Sequence, residues 1–263
     1  MLLSSVILVL QEILAATLVV SVLAAFSVHH GLTRRWALPG LLVGAAGACL
    51  YASGVETVSP WFDYVGLDII NAGMQWAICA GLLILASLFA AYPRAPSLAP
   101  AYYLLMTTIV ALVLTREGFE ILLYAMNFVG DDDLWLPVML GSLLGAGIGI
   151  SAGTLLFYGI ASLPEGIGGK LSLVLLSLFG GNMAAQGTLL LIQADWLPAG
   201  RPLWDMGSMI PESSLLGQLL SALVGYEATP TPLQAVAYAI QALTLLILFS
   251  CGKPSWRRRS GRS

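Results

Sequence analysis

The chain of 263 residues is 58% hydrophobic and only 10% charged, and its mean hydropathy is +0.88. This composition is typical of a polytopic membrane protein and excludes an ordinary soluble domain. The formal net charge is only -3, and no basic cluster suggests nucleic acid as a partner.

Seven apolar segments are each long enough to cross a bilayer, for which about 20 residues suffice. The first segment carries Gln11 and Glu12 in its middle and no basic start, so we expect a retained helix rather than a cleaved signal peptide. We therefore predict an all-α polytopic membrane protein with a single transmembrane domain over residues 1–263. Its seven membrane helices are expected near residues 3–26, 37–58, 66–91, 101–129, 136–161, 170–194 and 233–251.

The sixth connector, residues 195–232, is the long one. Within it, residues 212–224 are compatible with a short amphipathic helix lying at the surface, followed by a turn at Pro230 and Pro232. We expect this segment to be an outer loop that leads into helix seven at residues 233–251. The remaining residues, 252–263, form a basic tail.

Basic residues concentrate on one side of the predicted bundle. Arg116 lies within a predicted span and Arg201 lies on the opposite side. Because positively charged loops stay in the cytoplasm, we expect the N-terminus outside and the C-terminus inside, with a cytoplasmic tail. The nine of eleven Lys and Arg residues on that side are Arg34, Arg35, Arg94, Lys170, Lys253, Arg257, Arg258, Arg259 and Arg262.

Ten of the fourteen acidic residues fall on or near the other, outer side. They include the triplet Asp131, Asp132 and Asp133, which we interpret as an outer mouth that attracts cations. A simply solvated acidic loop is an equally good interpretation of the triplet alone.

The first three segments resemble the next three, which predicts an internal repeat of residues 3–91 and 101–194. Segments two and five are glycine-rich, which favours close helix packing. Segments three and six each place a glutamine four residues after an asparagine. An odd number of spans per unit inverts the second unit, and inverted repeats are a transporter architecture with the site near the midplane. The two pairs, Asn71 with Gln75 and Asn182 with Gln186, are predicted either to line a pathway or to bond neighbouring helices.

The fourth segment carries Arg116, Glu117 and Glu120 near its middle. At about 100° per residue these side chains share one sector of a helix, and Tyr124 and Asn127 continue it as a polar stripe. Charges at that depth are costly, so such residues usually face a protein interior or a wet cavity and have a function there. The simpler alternative is an i, i+4 salt bridge that only joins two helices. One arginine cannot neutralise two glutamates, so the surplus negative charge favours a cation.

The motif Arg116-Glu117-Gly118-Phe119-Glu120 resembles that of the high-affinity iron permeases, the oxidase-dependent iron transporters of fungi and bacteria. The segments 187–198, 203–205 and 223–226, with Pro230 beyond them, resemble the bacterial branch, so the resemblance extends over essentially the whole chain.

The family also carries the motif on its first helix, where this chain is degenerate. Gln11 stands in place of arginine and Ala15 in place of the second glutamate, so that only Glu12 remains. The family pattern sums to a charge of -2, and the residues left here also sum to -2.

This resemblance implies passage of iron across the membrane, as ferric ion delivered by an extracytoplasmic partner that oxidises or delivers iron. It implies that Glu12, Glu117 and Glu120 are oxygen ligands and that Arg116 is their counter-charge. Gln11, Asn71, Gln75, Tyr124, Asn127, Asn182 and Gln186 are then expected to line the pathway.

We expect a multi-pass protein of the bacterial inner membrane that is not an enzyme. Iron is expected as the transported substrate and no cofactor as a permanent ligand. Two alternatives stay open: a transporter of another divalent metal, and a non-transporting metal sensor or accessory membrane subunit.

Overall fold

The computed structural model describes residues 2–91, 99–131, 133–212 and 214–251. Every regular element in these ranges is a helix. Long apolar segments form helices because a helix satisfies its backbone hydrogen bonds internally, as a bilayer requires. In chain order the helices are α1 (Leu2–His29), α2 (Ala37–Ser53), α3 (Val55–Val58), α4 (Trp61–Tyr64), α5 (Gly66–Ala91), α6 (Ala99–Met126), α7 (Trp135–Ala161), α8 (Glu165–Gln193), α9 (Leu215–Val224) and α10 (Pro232–Cys251).

The seven predicted segments correspond to α1, α2, α5, α6, α7, α8 and α10. The second segment is shorter than predicted, because α2 ends at Ser53 and the next turn, Val55–Val58, is a separate helix after Gly54. Within the described ranges, five helices are long and apolar enough to cross a membrane: α1, α5, α7, α8 and α10. Helix α2 has only 17 residues, and α6 carries three charged residues, so the count of seven membrane spans stays a prediction.

Helices α1 and α7 pack side by side along their whole length. Thr17 and Ser21 of α1 donate hydrogen bonds to the carbonyl oxygens of Gly149 and Gly153, at 3.2 and 2.7 Å. Small residues every four positions allow this close approach. Successive glycines of α7 meet successive turns of α1, so the helices run parallel: Gly141 meets Leu2, Gly145 meets Val6, Gly149 meets Ile13 and Gly153 meets Thr17.

Helices α2 and α6 form a second seam of the same kind. Gly40 of α2 lies against Val110, and Gly44 lies against Ala111 and Leu114. The Thr115 hydroxyl of α6 donates to the Gly44 carbonyl oxygen at 3.4 Å. The first helix of each predicted unit thus packs against the second helix of the other unit: α1 packs against α7, and α6 packs against α2.

Helices α5, α8 and α10 complete the bundle and close its hydrophobic core. Gln241 of α10 donates to the Cys79 carbonyl oxygen of α5 at 3.0 Å. Near one end of the bundle, Phe26 packs with Phe89 and Phe249, whose ring centroids lie 5.1 and 6.3 Å away. The core holds these helices together around a polar site at the other end.

The two ends of the bundle differ in charge. One end holds Arg34, Arg35 and Lys170, and the other holds Asp131, Asp133 and most remaining acids. Arg94 and the basic residues of the tail 252–263 lie outside the described residues, so the orientation across the membrane stays a prediction.

The short helix of the long connector is present as α9, and its residues Leu216 and Val224 are exposed. It packs against α1 and α8, and Ser221 faces a cavity inside the bundle. The Ser214 hydroxyl caps its start by accepting a hydrogen bond from the Gly217 backbone at 3.0 Å. An apolar face suits a membrane surface and a groove between helices equally, so the sequence pattern did not specify the packing against α1 and α8.

Candidate functional site

The charged groups of α6 form a buried ion-pair network. The Arg116 guanidinium contacts the Glu117 carboxylate at 2.7 Å and the Glu120 carboxylate at 2.9 Å. The Glu117 side chain is 2% exposed, whereas that of Glu120 is 35% exposed. Arg116 is thus shared between two carboxylates, of which Glu117 is held in the protein interior.

Glu12 of α1 joins this network from the neighbouring helix. Its carboxyl group lies beside that of Glu117. Together they face a cavity of about 150 Å³ between α1, α6, α8 and α9. Within the described part of the chain, Glu120 is outside this lining. The lining residues are Gln11, Glu12, Ala15, Arg116, Glu117, Asn182, Met183, Gln186 and Ser221.

The positions at which the first motif is degenerate are part of this lining. Gln11 and Ala15 are one helical turn apart, and both face the cavity beside Glu12. An arginine at position 11 and a glutamate at position 15 would therefore enter the same space as Arg116 and Glu117.

Asn182 of α8 links the cavity to α9. Its amide nitrogen donates a hydrogen bond to the Ser221 carbonyl oxygen at 3.3 Å. Gly225, which ends α9 in the left-handed region at φ 72°, lies directly against the Asn182 side chain. A Cβ at Gly225 would come within 2.8 Å of Asn182 Cβ, so glycine serves both the backbone turn and this contact.

Two further cavities connect this site with the long loop. One, of about 300 Å³, shares Gln11, Gln186 and Ser221 with the first and is also lined by Glu212 and Glu227. The other, of about 290 Å³, shares Gln186 and Glu227 with the second. The three cavities form a series from Glu117 to the acidic end of the bundle.

Glu212 and Glu227 are carboxylates of the long loop. One Glu212 oxygen accepts a hydrogen bond from the Ala228 backbone at 2.7 Å, which fixes the loop around the cavity. Burial raises the pKa of Glu227 above its ordinary value, and the nearby Glu212 carboxylate raises it further. Glu227 therefore picks up a proton at a higher pH than an ordinary glutamate.

Tyr124 and Asn127, the outer residues of the predicted stripe, have different surroundings. The Tyr124 hydroxyl forms a 2.8 Å hydrogen bond with that of Ser5, between α6 and α1. Asn127 follows the end of α6 and is exposed. These two residues lie toward the acidic end, beyond the carboxylates.

The Asp131–Asp133 triplet lies at the start of α7. The Asp131 carboxylate accepts hydrogen bonds from the backbone of Asp133 and Leu134 at 3.2 and 3.0 Å, so it shapes the turn before the helix. Asp133 is exposed, and Asp132 lies outside the described residues. The role of the triplet as an outer mouth stays a prediction.

Gln75 of α5 is buried and Asn71 is half-buried, and neither lines the cavity of the carboxylates. Gln75 is fully buried beside Gly187 of α8. Across the described ranges, both amide atoms of Gln75 and Oδ1 of Asn71 lack hydrogen-bond partners. Neither residue lines the three cavities, whereas Asn182 and Gln186, their counterparts in the second unit, do.

Metal binding at this site would depend on more than carboxylates. Among the residues that the structure describes, no group of three or more His, Cys, Asp or Glu side chains is close enough to hold a metal ion. Glu12 and Glu117 lie side by side at the cavity, whereas Glu120 does not line it. Additional oxygens around the cavity come from amide side chains and from α9.

Sequence reasoning missed the contribution of the long loop to the site. It assigned no role to Ser221, Glu212 or Glu227, and it did not place Met183 in the lining. The excess of acids on the predicted outer side was the only signal for the two glutamates. The position of Ser221 depends on how α9 packs, which a single helical period does not specify.

The chain is similar in sequence to bacterial proteins named for iron transport. It is 24% identical over 147 residues to the ferrous iron permease EfeU of Shigella flexneri, covering 55% of this chain and 62% of the relative. It is 24% identical over 147 residues to EfeU of Escherichia coli O157:H7, covering 55% of this chain and 52% of the relative. For EfeU of Escherichia coli O6:K15:H31 the identity is 25% over 146 residues, with the same coverage of 55% and 52%.

The chain thus spans about half to three fifths of the length of the curated relatives it matches. The similarity covers 55% of this chain, less than the sequence motifs implied. No protein-family model matches the chain. No solved structure matches it either. The apolar helices and these permease relatives together support a multi-pass protein of the bacterial inner membrane.

Proposed function

We propose that this chain is an iron permease in which the cation passes the cavity of Glu12, Glu117 and Arg116. The observation that carries the proposal is the meeting of two carboxyl groups from different helices at one buried cavity. Carboxylates side by side in a medium of low dielectric repel each other, and a bound cation relieves that repulsion. The distant relatives named as iron permeases support iron as the cation.

Arg116 acts as counter-charge in this proposal. By pairing with Glu117 and Glu120, it balances part of their negative charge when no cation is bound. Glu120, on the exposed side of Arg116, is a ligand that joins the cation only after the guanidinium moves. Glu12 and Glu117 bind first because they already face the cavity.

The access route runs through the loop cavities. A cation arriving at the acidic end meets Glu212 and Glu227 and then passes Gln186 and Gln11 to reach Glu12. Negative groups at a narrow opening concentrate cations there. This route replaces Tyr124 and Asn127 as the principal lining, although the latter residues lie toward the same end.

We extend the proposal to the architecture and the partners. Residues 3–91 and 101–194 form two inverted repeats, supported by the matching α1–α7 and α6–α2 seams. The family resemblance implies ferric ion from an oxidising or delivering partner outside the membrane, whereas the relatives are named for ferrous iron. The family resemblance and the names of the relatives both support iron as the transported metal.

The test is uptake of radioactive iron into liposomes that contain the purified protein. We expect saturable uptake that empty liposomes lack, and weaker competition by Mn²⁺ and Zn²⁺ than by unlabelled iron. Stronger uptake of another divalent metal would favour a transporter of that metal. Metal binding without any uptake would favour the sensor or accessory subunit and overturn the permease proposal.

A further inference from the structure

Asn182 lines the cavity that Glu12 and Glu117 face, and its side-chain oxygen is buried. The side chain is 7% exposed, and its amide nitrogen donates to the Ser221 carbonyl oxygen. Because a carbonyl oxygen only accepts hydrogen bonds, this contact determines which end of the amide faces α9. The other end, Oδ1, has no hydrogen-bond partner among the residues that the structure describes.

Glu117 is in the same situation. Arg116 holds its Oε1 at 2.7 Å, while its Oε2 is buried and has no partner within the described ranges. Buried polar atoms in proteins are nearly always paired, because an unpaired one loses its hydration without compensation. Both residues line the cavity beside the Glu12 carboxyl group, so their two unpaired oxygens indicate an external partner. A hard cation is such a partner, since it binds several oxygens at once.

We propose that Asn182 Oδ1 is a direct ligand of the transported cation, together with Glu12 and Glu117. This inference rests on the proposed function and adds a ligand to it. Ala15, which lines the same cavity, carries no oxygen where the resembled family has a carboxylate. Asn182 supplies a third oxygen to the cavity without a charge.

The neutral amide also sets the valence of the preferred ion. With all groups ionised, Glu12, Glu117, Glu120 and Arg116 sum to a charge of -2. A divalent cation neutralises this cluster, whereas a trivalent cation leaves a net positive charge in a medium of low dielectric. A neutral amide at position 182 leaves this formal sum at -2, and an aspartate there would bring it to -3, the sum that matches a ferric ion.

Helix α9 orients this ligand. Ser221 fixes the amide nitrogen, and Gly225 packs against the Asn182 side chain from the end of the same helix. The ligand thus has the hydrogen-bonded support from outside the coordination sphere that metal sites generally require. Helix α9 lies in the long loop, so the conformation of this loop and the geometry of the site are coupled.

The test uses Asn182→Asp and Asn182→Leu, with Gln193→Glu as the matched amide-to-carboxylate control at an exposed position of the same helix. Wild type and variants are reconstituted into liposomes and given radioactive iron either as ferrous ion under reductant or as ferric citrate. Binding is measured separately on detergent-solubilised protein, from the loss of the free Mn²⁺ electron paramagnetic resonance signal. Size-exclusion chromatography compares the folding of all four proteins.

We expect Asn182→Leu to weaken Mn²⁺ binding by at least about tenfold, the scale of losses around a metal ligand. Asn182→Asp should raise the ratio of ferric to ferrous uptake, while Gln193→Glu leaves both binding and this ratio unchanged. Unchanged Mn²⁺ binding in Asn182→Leu would overturn the inference, as would an unchanged uptake ratio in Asn182→Asp. The isosteric Asn182→Asp decides the question if Asn182→Leu does not fold.

The two proposals fail separately. If wild type takes up iron and the Asn182 variants behave like wild type, Asn182 is not a ligand and the permease proposal stands. Absence of iron uptake by wild type would overturn the permease, while weaker Mn²⁺ binding in Asn182→Leu would still support the ligand.

Discussion

The carboxyl groups of Glu12 and Glu117 lie beside each other although they belong to different helices, α1 and α6. Arg116 holds Glu117 from the opposite side at 2.7 Å. The pair faces a cavity of about 150 Å³ that shares lining residues with a second cavity, which Glu212 and Glu227 of the long loop also line. The proposed cation pathway rests on this relationship.

The arginine and glutamate that the first motif lacks can be introduced by mutation, because Gln11 and Ala15 line the cavity. Gln11→Arg alone changes the charge sum of the site from -2 to -1 and should weaken cation binding. Ala15→Glu alone changes it to -3 and buries a charge without a partner, which is costly. The double variant restores an i, i+4 pair, so we expect iron uptake above the product of the two single effects. Uptake equal to that product would show that the site does not depend on its charge sum.

The α1–α7 seam requires glycine at position 145. An added Cβ there would lie 2.5 Å from the Val6 carbonyl oxygen, whereas one at Gly147 of the same helix would meet open space. Overpacking of this kind costs about 1–3 kcal/mol, so Gly145→Ala should unfold at a lower temperature in detergent. Gly147→Ala is the matched control and should unfold at the wild-type temperature or above it. Equal unfolding temperatures of the two variants would contradict this packing.

Acidification should reduce iron uptake because Glu227 becomes protonated. Burial and the Glu212 carboxylate raise the pKa of Glu227, so this group loses its negative charge at a higher pH than an ordinary glutamate. As the pH falls through this raised pKa, the access cavity attracts cations less. Glu227→Gln should therefore lower uptake at neutral pH and flatten its decline toward mildly acidic pH. The exposed control Glu56→Gln should keep the wild-type profile, and a Glu227→Gln profile identical to it would exclude this role.

The predicted orientation rests on the distribution of the basic residues and can be tested by labelling. A cysteine at the exposed Asp133 should react with an impermeant thiol reagent added outside intact cells. A cysteine at the exposed Ser162, at the opposite end of the bundle, should react only after the membrane is opened. The wild-type protein gives the background from its native cysteines. The reverse pattern would invert the direction of the proposed route.

Much of the helical scaffold was predictable from the sequence. Apolar runs and their Pro- and Gly-rich breaks predicted α1 within a few residues of its Leu2–His29 bounds and α5 at its observed bounds. The spacing of Arg116, Glu117 and Glu120 predicted one charged sector, and the structure joins these side chains by ion pairs. Both predictions depend on local periodicity, which a helix converts directly into geometry.

The closure of the site by α9 was not predictable in the same way. The contact of Asn182 with Ser221 joins residues far apart in the chain. It depends on the groove that α1 and α8 leave open, and periodicity carries no information about such a groove. For the same reason the sequence did not show that the Asp131 carboxylate accepts a backbone hydrogen bond at the start of α7.

The most direct test of the account is iron uptake by Glu12→Gln and Glu117→Gln in liposomes with matched protein content. Glutamine keeps the size of each side chain and removes the negative charge that the cavity offers to a cation. We predict that both variants remain folded in the membrane and lose uptake, while the exposed control Glu56→Gln transports like wild type. Wild-type uptake in Glu117→Gln would contradict the account, and so would a loss of uptake only in proportion to a loss of folded protein.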